Sequence, residues 1–513
     1  MDWTQIYAIV AAGIFSMFVL VHFRKYLNQI VNYMFLLSRH LTYPRLVHRH
    51  RFLGPWSPSV VIIQLIYIAA NTFCATFPAS TVAEIGRRAG TLAAINMVPL
   101  FAGPHLAFLG DILGTPLGNI HLIHRSAGIM AFSLSIIHAL VVAKSKISLP
   151  LDVPQNLFAV VVRSSLCLLI LLTIPIFRRL SYELFLRTHQ VLATATVYSL
   201  WRHLPSKEAF PLVYVYLSAA LFLLLLLLQM ILIVQKNGIF RYHLSRATIT
   251  DCHGAVHLRI QHQKGLKIDS GQYINLWIPW MPFVSFWSFL QTHPFMVISW
   301  TPGKQDTIEL FVKPRRGFTR KLLYHAANGH LRNPVVMFSG PHGTSIAMDE
   351  YESVLMVASG FGIAAHLSSL KKLIYGYNAR LGRTRRIRLV WQLRNQADGI
   401  GAQSFLNNAL EEDKFDDGRI LLITIHLESN DTVIPFGKRA TVYPGCAPLS
   451  RIFQEEVSGE NIKKPEKQIV ERHTSTMLVM VSGNDDIRDQ MRALVQGYIQ
   501  AGVSLVELDY QPE

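Results

Sequence analysis

The chain has 513 residues, 51% of them hydrophobic, and a mean hydropathy of +0.29, which is too apolar for a soluble protein. Its net charge of +17 could suit nucleic acid. In a membrane protein, basic loops on the inner side and attraction to anionic lipid and phosphate-bearing ligands account for it better, so no nucleic-acid partner is predicted. Only four cysteines occur, which supports neither a disulfide framework nor a cysteine metal site.

Long apolar runs fill the first half of the chain and predict a multi-pass α-helical membrane bundle. Seven segments approach the 20 or so residues that a spanning helix needs. They are residues 3–22, 57–77, 91–110, 120–143, 156–176, 186–203 and 211–235. The sixth is the weakest because Arg187, His189, Thr194 and Thr196 dilute it, and an amphipathic helix lying on the bundle is the alternative. Beyond Lys236 the sequence becomes charged and strand-like, which indicates a domain boundary.

Basic residues in the short loops predict the orientation of the bundle. The loop after the first span is rich in Arg and Lys, and the loop after the fifth opens with Arg178 and Arg179. Such loops stay in the cytosol. An odd number of spans then places the N-terminus outside and the C-terminal half in the cytosol. Asp2 stands where a cleavable signal would be basic, so residues 1–55 are predicted to be an anchor helix with a basic cytosolic loop.

Two pairs of histidines, each fourteen residues apart, lie in the apolar half: His124 with His138, and His189 with His203. Fourteen residues turn a helix through about 1,400° and rise about 21 Å, so each pair shares one helix face. Ionisable residues inside a membrane are costly, and imidazole is a usual haem ligand. We therefore predict that residues 56–236 form a haem-binding domain. Under the inferred topology, His124 and His189 form the inner level, and His138 and His203 the outer level.

Other residues near these histidines are further candidates for ligands or partners of haem. His121 lies seventeen residues from His138 and points about 100° away, so we interpret it and His105 as structural. Arg125, Arg163 and Arg202 are candidates to pair with haem propionates, because Arg binds carboxylates in a bidentate manner. The alternative for these arginines is that they reach to the membrane interface.

The second half of the chain divides into two predicted domains. Residues 237–348 carry short alternating segments broken by Gly and Pro, which predict an antiparallel β-barrel. Residues 349–513 alternate strands with helices, which predicts a parallel α/β domain. There, the turn Gly360-Phe361-Gly362 between a strand and a helix suits a dinucleotide pyrophosphate, although the third glycine of the usual fingerprint is missing. Arg394 ends the next strand and favours a 2′-phosphate, hence NADP.

An ordered set of motifs resembles the ferric reductase and NADPH oxidase superfamily, in which a haem-binding bundle is fused to a cytosolic flavin and nicotinamide reductase. The resemblance covers roughly residues 90 to 513 and is greatest to the fungal metalloreductases. The motifs are His293-Pro294-Phe295 with Ser299, Gly271-Gln272-Tyr273, Gly317-Phe318-Thr319, Gly340-Pro341-His342-Gly343 and Gly360-Phe361-Gly362-Ile363. The four histidines match the family's haem ligands, so the resemblance implies two haem b groups.

The resemblance also implies which residues bind the cytosolic cofactors. His293, Pro294, Phe295 and Ser299 would lie against FAD, with Gly317 and Thr319 near its ring or phosphates. Gly360, Gly362 and Ile363 would face the nicotinamide nucleotide, with Trp391 and Arg394 on the following strand and Ser482 and Gly483 near the nicotinamide. Taken singly, each has an ordinary alternative: a turn for His-Pro, a core position for Phe295 and a solvated corner for Arg315 and Arg316.

The chain departs from the family pattern at several positions. Met296 stands where a hydroxyl residue is common, Ser339 where an acid commonly precedes Gly-Pro, and Ser482-Gly483 where relatives have Cys-Gly. Its last residues, 508–513, lack the usual acidic-aromatic ending. A hydroxyl is smaller and less polarisable than a thiol, so hydride geometry could change. These departures leave a non-enzymatic membrane scaffold open as an alternative.

The predicted function is transmembrane electron transfer. By resemblance, NADPH reduces FAD in the cytosol, and electrons pass through the inner and outer haem levels to an acceptor outside. The acceptor is predicted to be a ferric or cupric chelate, and superoxide formation by an NADPH oxidase is the alternative. The short outer loops offer Glu84, Asp152 and Glu208 as scattered acids, so metal would bind weakly. A plasma membrane location is expected, a vacuolar one fits equally well, and the sequence does not fix the oligomeric state.

Overall fold

A computed structural model describes most of the chain. The described residues are 40–47, 55–102, 106–145, 150–180, 182–205, 209–239, 244–279, 292–315, 317–329, 333–414, 420–429, 436, 439–459 and 476–511. The predicted first span, residues 3–22, lies outside them, as do His105, Glu208 and Arg316.

Eight helices follow one another in the described part of the membrane half. They are α1 (Pro58–Thr76), α2 (Val82–Met97), α3 (Leu106–Leu113), α4 (Leu117–Lys144), α5 (Pro154–Leu172), α6 (Pro175–Leu180), α7 (Tyr182–His203) and α8 (Ala209–Asn237). Four of them are long and apolar enough to cross a membrane: α1, α4, α5 and most of α8. A fifth span is obtained if α2 and α3 are counted together.

The predicted third span was wrong in its bounds. Residues 91–110 do not form one straight helix, because α2 already begins at Val82 and ends at Met97, and α3 lies at 88° to it. Pro99 lies in the short 3-10 turn that follows α2, and proline cannot donate the backbone hydrogen bond that would continue a regular helix. The bend carries α3 towards the cytosolic module.

The weakest predicted span does form a helix, α7. It falls outside the set of apolar helices, as its polar residues predicted. It nevertheless packs along α5 and buries Thr196 and Ser199, which are 1% and 2% exposed. The Thr196 hydroxyl donates to the Leu192 carbonyl at 2.8 Å, so the helix itself satisfies this polar group. Helix α7 therefore belongs to the bundle instead of lying on its surface.

Residues 246–342 form the predicted antiparallel barrel from two three-stranded sheets. Their strands are β1 (Arg246–Cys252), β2 (Ala255–Lys267), β3 (Tyr273–Trp277), β4 (His293–Met296), β5 (Lys304–Val312) and β6 (Met337–His342). The orders are β1-β2-β5 and β4-β3-β6. Alternating side chains of both sheets, together with α9 (Phe318–Ala327), enclose one apolar core.

The last domain is a six-stranded parallel sheet with helices. Its elements are β7 (Ser353–Ser359), α10 (Ala364–Asn378), β8 (Arg386–Leu393), α11 (Ala397–Glu412), β9 (Leu421–Leu427), β10 (Thr441–Pro444), α12 (Leu449–Val457), β11 (Met477–Ser482), α13 (Asp485–Gln496) and β12 (Val503–Glu507). The strand order is β10-β9-β8-β7-β11-β12. The order reverses between β7 and β11, and ligands of such sheets bind at the carboxyl ends of the strands at this point.

The first basic loop lies against the parallel domain. The Tyr43 hydroxyl accepts from the Leu505 backbone at 3.2 Å, and the Arg492 guanidinium donates to the Thr42 carbonyl at 3.3 Å. Arg45 and Arg492 both pair with Glu507. Since this loop contacts the C-terminal domain, the two lie on the same side of the bundle, as the predicted orientation requires.

Candidate functional site

The inner histidines meet across two helices. The ring centres of His124 on α4 and His189 on α7 lie 6.2 Å apart. Two imidazoles that ligate one metal from opposite sides, each with a nitrogen about 2 Å away, have ring centres about 6 Å apart. Helix α4 packs mainly on α2, and α7 packs mainly on α5, so the backbones of α4 and α7 approach each other closely at few points. The spacing therefore fits a flat metal-centred ligand between these two rings.

The outer histidines are oriented by backbone carbonyls. Nδ1 of His138 lies 2.9 Å from the Gly86 carbonyl oxygen on α2, and Nδ1 of His203 lies 2.9 Å from the Gln155 carbonyl oxygen on α5. A histidine whose Nδ1 donates to a carbonyl keeps the Nε2 lone pair free for a metal. Both outer rings thus fit the predicted role of haem ligands.

The predicted arginine partners lie on the surface of the bundle. Arg125, Arg163 and Arg202 are all exposed. The Arg202 guanidinium lies 5.4 Å from the centre of the Phe158 ring and 5.8 Å from that of Trp201, so cation–π contacts hold it. Pairing of these arginines with propionates stays a prediction.

The His-Pro-Phe motif forms β4 beside helix α9. The His293 ring stacks on Phe318 with centres 4.3 Å apart, and burial lowers the His293 pKa to about 4, so the imidazole is neutral at pH 7. Its Nε2 is buried and has no hydrogen-bond partner among the described residues. Such an orphaned polar atom fits a ligand at this edge of the barrel. Pro294 lies beside it and is partly exposed.

Two other residues of this motif have structural contacts. The Phe295 ring is 2% exposed within the barrel core, so packing accounts for it. The Ser299 hydroxyl is also buried and accepts from the Glu309 backbone at 3.0 Å, which ties β4 to β5. Contact of these two side chains with FAD stays a prediction.

Gly317 begins the helix that would receive a flavin phosphate. Its φ of 80° is unfavourable for residues with a side chain, and it precedes the first turn of α9. Thr319 accepts from the Arg315 backbone at 2.7 Å, which closes the turn. The Arg315 guanidinium in turn donates to the Tyr510 hydroxyl at 2.8 Å. The C-terminal segment therefore does bring an aromatic residue to this corner, although residues 508–513 lack the usual family ending.

The glycine turn after β7 lies at the point where strand order reverses. A Cβ at Gly362 would lie 1.9 Å from the Ser482 carbonyl oxygen, so only glycine allows the turn to approach the end of β11. Gly360 has a φ of 51°, and its carbonyl accepts from the Trp391 indole at 2.8 Å. The side chains of Trp391 and Ile363 are buried on the inner side of the turn. The turn is partly exposed at Gly360 and Phe361, and its backbone there suits a pyrophosphate.

Residues on the neighbouring strand ends complete this edge. Ser482 is fully buried, and its hydroxyl has no hydrogen-bond partner among the described residues. The Gly483 carbonyl accepts from the Arg488 guanidinium at 2.9 Å. Arg394 is exposed at the end of β8, where it is accessible to a nucleotide phosphate.

A junction between the bundle and the barrel escaped the sequence-based prediction. The carboxylate of Asp111 on α3 lies 2.5 Å from Nδ1 of His342 and accepts from the Gly343 backbone at 3.0 Å. Lys236 donates to the Gly340 carbonyl at 2.6 Å. The Ser339 hydroxyl lies 2.9 Å from Nε2 of His342, and Asp111, Lys236, Ser339 and His342 line a cavity of about 180 Å³. The one sequence feature that pointed to this junction is Ser339, which stands where relatives commonly have an acid. In the structure, the carboxylate of Asp111 from the bundle contacts this turn.

These features define a membrane protein in which a helical bundle precedes a flavin- and nicotinamide-binding module. Family models match segment by segment: ferric reductase like transmembrane component over residues 89–200, FAD-binding domain over 239–346 and ferric reductase NAD binding domain over 351–476. The chain belongs to the ferric reductase and NADPH oxidase superfamily, as its motif order predicted.

Several relatives are similar to parts of the chain. The ferric/cupric reductase transmembrane component 2 of Saccharomyces cerevisiae is 26% identical over 56% of this chain and 40% of its own length. The probable cell surface ferric reductase kap2 of Aspergillus oryzae is 24% identical over 66% of this chain and 48% of its own length. NADPH oxidase 1 of Mus musculus is 28% identical over 30% of this chain and 24% of its own length. The chain thus spans less than half the length of these relatives.

Similarity to solved structures is weak. The flavohemoglobin of Malassezia yamatoensis has a TM-score of 0.37 at 14% identity and covers 84% of this chain and 99% of its own. The flavohem-like FAD/NAD binding domain of nitric oxide dioxygenase from Vibrio cholerae has a TM-score of 0.33 at 12% identity, over 52% of this chain and 98% of its own. Similarity at this level carries no functional argument.

Proposed function

We propose that the protein transfers electrons from cytosolic NADPH through FAD and two b-type haems to ferric or cupric chelates on the opposite side of the membrane. The observation that carries this proposal is the 6.2 Å separation of His124 and His189, on two different membrane helices. His124 with His189 would hold one haem, and His138 with His203 the other. Haem supplies one-electron chemistry, and two histidine ligands leave no open iron position, which favours outer-sphere transfer to the acceptor.

The cytosolic residues have separate proposed roles. The turn at Gly360 and Gly362 would bind the NADPH pyrophosphate, and Arg394 its 2′-phosphate. Neutral His293 and Gly317 would bind FAD at the barrel edge. Asp111 and Lys236 would hold this module against the bundle. The relay therefore needs contacts in all three domains, and the proposed location is the plasma membrane, with an endomembrane as the alternative.

The central test is an absorbance spectrum of the purified protein before and after NADPH is added. We expect the spectrum of bis-histidine haem, FAD in the same preparation, and reduction of both by NADPH. His124→Ala should remove the inner haem, whereas His121→Ala, an exposed position on the same helix, should leave it in place. Wild-type protein without haem or FAD would contradict the proposal and favour a non-enzymatic scaffold.

A second candidate function is superoxide production, which the match to mouse NADPH oxidase 1 favours. The two activities use the same cofactors and differ only in the acceptor. Intact cells that express the protein should reduce chelated Fe(III) faster than cells that express His124→Ala. Superoxide release without Fe(III) reduction would replace the metalloreductase proposal with the oxidase.

A further inference from the structure

We propose that helix α10 fixes the nucleotide-binding domain against the flavin-binding barrel, chiefly through the ion pair between Lys372 and Asp269. The inference rests on the hydride transfer from NADPH to FAD in the function proposed above. It makes Lys372 and Asp269 positioning residues, because they act through the placement of the two domains.

Hydride transfer makes a geometric demand on two separate domains. The reacting atoms must lie about 3–3.5 Å apart, and a displacement of about 1 Å can slow a reaction up to about a hundredfold. In the proposed relay, the barrel holds FAD at His293 and Gly317, and the parallel domain holds NADPH at Gly360 and Gly362. The contacts that fix one domain against the other therefore also fix the distance that the hydride has to cross.

Helix α10 follows the glycine turn directly and carries its contacts to the barrel on one face. Ser368, Lys372 and Tyr375 are spaced four and three residues apart, which places them on the same side of the helix. Lys372 lies about 12 Å along the helix axis from Ala364, the first residue of α10. The helix is therefore a rigid connection between the proposed pyrophosphate site and this face.

Two polar contacts join this face to the barrel. The Lys372 ammonium donates to Oδ1 of Asp269 at 2.8 Å, and the two side chains are only 15% and 30% exposed. One turn earlier, the Gly271 backbone N–H donates to the Ser368 hydroxyl at 3.4 Å. An ion pair that is partly shielded from water is stronger than one on the open surface. Lys372 and Asp269 thus form the main electrostatic contact along this face.

Apolar contacts continue the same boundary. The Trp300 ring of the barrel lies 5.5 Å from the Tyr375 ring, centre to centre. Met296 at the end of β4 belongs to the same buried cluster as Leu367 and Leu370 of α10. Met296 stands where a hydroxyl residue is common in the family, and here it contributes apolar surface to the cluster that the two domains share.

The barrel side of the ion pair is a tight turn. The Asp269 backbone N–H donates to Oε1 of Gln272 at 2.8 Å, and the Ser270 backbone N–H donates to the Asp269 carboxylate at 2.8 Å. The Gln272 carbonyl then accepts from the Val297 backbone N–H at 3.1 Å. Val297 directly follows β4, the strand of the His-Pro-Phe motif. The ion pair is therefore connected through one turn to the strand that would lie against FAD.

The first test is anaerobic stopped-flow reduction of FAD by NADPH in the full-length holoprotein. Lys372→Gln and Asp269→Asn should each lower the limiting rate about tenfold, with no change in the NADPH concentration that gives half of it. The double variant should be no slower than either single variant, because all three lack the same contact. Lys267→Gln is the matched control, since Lys267 is exposed two residues before Asp269, and it should keep the wild-type rate.

A second measurement needs no NADPH. Hydrogen exchange followed by mass spectrometry should show faster exchange of residues 269–272 in Lys372→Gln than in wild-type protein. Exchange in β12, on the far side of the parallel sheet, should stay unchanged and so show that the domain remains folded. Lys267→Gln should match wild-type protein in both segments.

Unchanged flavin reduction in Lys372→Gln, or additive losses in the double variant, would overturn the inference while leaving the proposed electron transfer intact. A raised half-saturating NADPH concentration with an unchanged limiting rate would also overturn it, because the pair would then act on binding. If Asp269→Asn loses FAD and has therefore failed to fold, Lys372→Gln decides. Wild-type protein whose FAD is not reduced by NADPH would instead defeat the proposed function itself.

Discussion

The membrane helices and the cytosolic module are stabilised in opposite ways. In the bundle, large side chains such as Ile66 and Leu224 point outwards, and the buried cluster between α2 and α4 is small: Ala89, Ala93 and Leu134. In the cytosolic module, large side chains such as Trp391 fill the cores. Lipid is as apolar as leucine, so burial does not drive helices together in a membrane. In the bundle, close approach of the helix backbones stabilises the packing instead of apolar burial.

Polar contacts between helices support the same comparison. The Asn96 side chain on α2 donates to Asn71 on α1 at 2.8 Å, and Gln64 on α1 donates to Ser126 on α4 at 2.6 Å. In the bundle, hydrogen bonds between polar side chains and the presence of small residues determine how the helices pack. In the module, the volume of large buried side chains determines the packing. The following substitutions test that difference.

The largest effect on activity is expected at Gly362, where the absence of a side chain lets two elements of the cytosolic module approach closely. Gly362→Ala places a methyl group 1.9 Å from the Ser482 carbonyl oxygen, so the turn must move away from β11. We expect NADPH-dependent flavin reduction to fall at least a hundredfold in stopped-flow absorbance, equivalent to about 2.7 kcal/mol. Gly497→Ala is the control, because its nearest atom would be 3.7 Å away. Normal flavin reduction in Gly362→Ala would show that the turn does not bind the nucleotide.

A pair of leucine substitutions compares the two halves directly. Leu310 in β5 is fully buried, whereas Leu224 in α8 is 54% exposed on the outside of the bundle. Leu310→Ala should destabilise the barrel by about 2–5 kcal/mol. Leu224→Ala should change stability by less than about 0.5 kcal/mol, because lipid replaces the lost contacts. Thermal release of FAD, followed by fluorescence, measures the effect of Leu310→Ala, and thermal unfolding of the whole protein measures the effect of Leu224→Ala. Equal losses of stability in the two variants would contradict the difference between the bundle and the module.

Asp111 connects the two halves. Asp111→Asn removes the charge that faces His342 and the Gly343 backbone. We expect flavin reduction by NADPH to keep its rate while the following haem reduction slows about tenfold, or about 1.4 kcal/mol, because the module loses its fixed position. Stopped-flow absorbance separates the two phases. Asp152→Asn, on the outer side, should change neither, and equal slowing of both phases would point to a general folding defect.

The effect of pH is the smallest of these for each pH unit. His366 on α10 is fully buried, and burial lowers its pKa to about 4 from an ordinary value near 6.5. Between these values the unfolded chain binds a proton that the folded chain does not, so stability falls as pH falls from about 6.5 to about 4. His366→Leu should reduce this slope by about 1 kcal/mol per pH unit. Urea unfolding of the module at several pH values measures it, and an unchanged slope would mean that His366 does not contribute.

Local pattern predicted much of this molecule. Hydropathy located most of the described membrane helices, because the thickness of the bilayer sets their length, although it missed the bend within residues 91–110. A fixed spacing identified His124, His138, His189 and His203 as candidate haem ligands. Alternating apolar and polar residues predicted the barrel, and the glycine turn predicted the edge of the parallel sheet that would bind a nucleotide. These signals lie within about twenty residues of sequence, where helix and strand periods apply.

Long-range contacts could not be predicted in this way. Asp111 and His342 are 231 residues apart, and no period connects them. The hydrogen-bond partner of His138 is the backbone carbonyl of Gly86. Every residue has a backbone carbonyl, so the residue type does not identify this partner in the sequence. Phe295 and Trp391 match a motif, yet packing accounts for both side chains. Motif matches find the right strand more reliably than they assign the side chain its role.

The fourteen-residue histidine spacing has an electrical consequence. A rise of about 21 Å within an apolar core of about 30 Å means that an electron moving between the two levels crosses roughly two thirds of the membrane voltage. Since the cytosol is negative, this voltage favours outward movement, by about 1.6 kcal/mol for each 100 mV. In the proposed relay, the resting voltage of the cell is part of the driving force, and depolarisation should slow electron transfer.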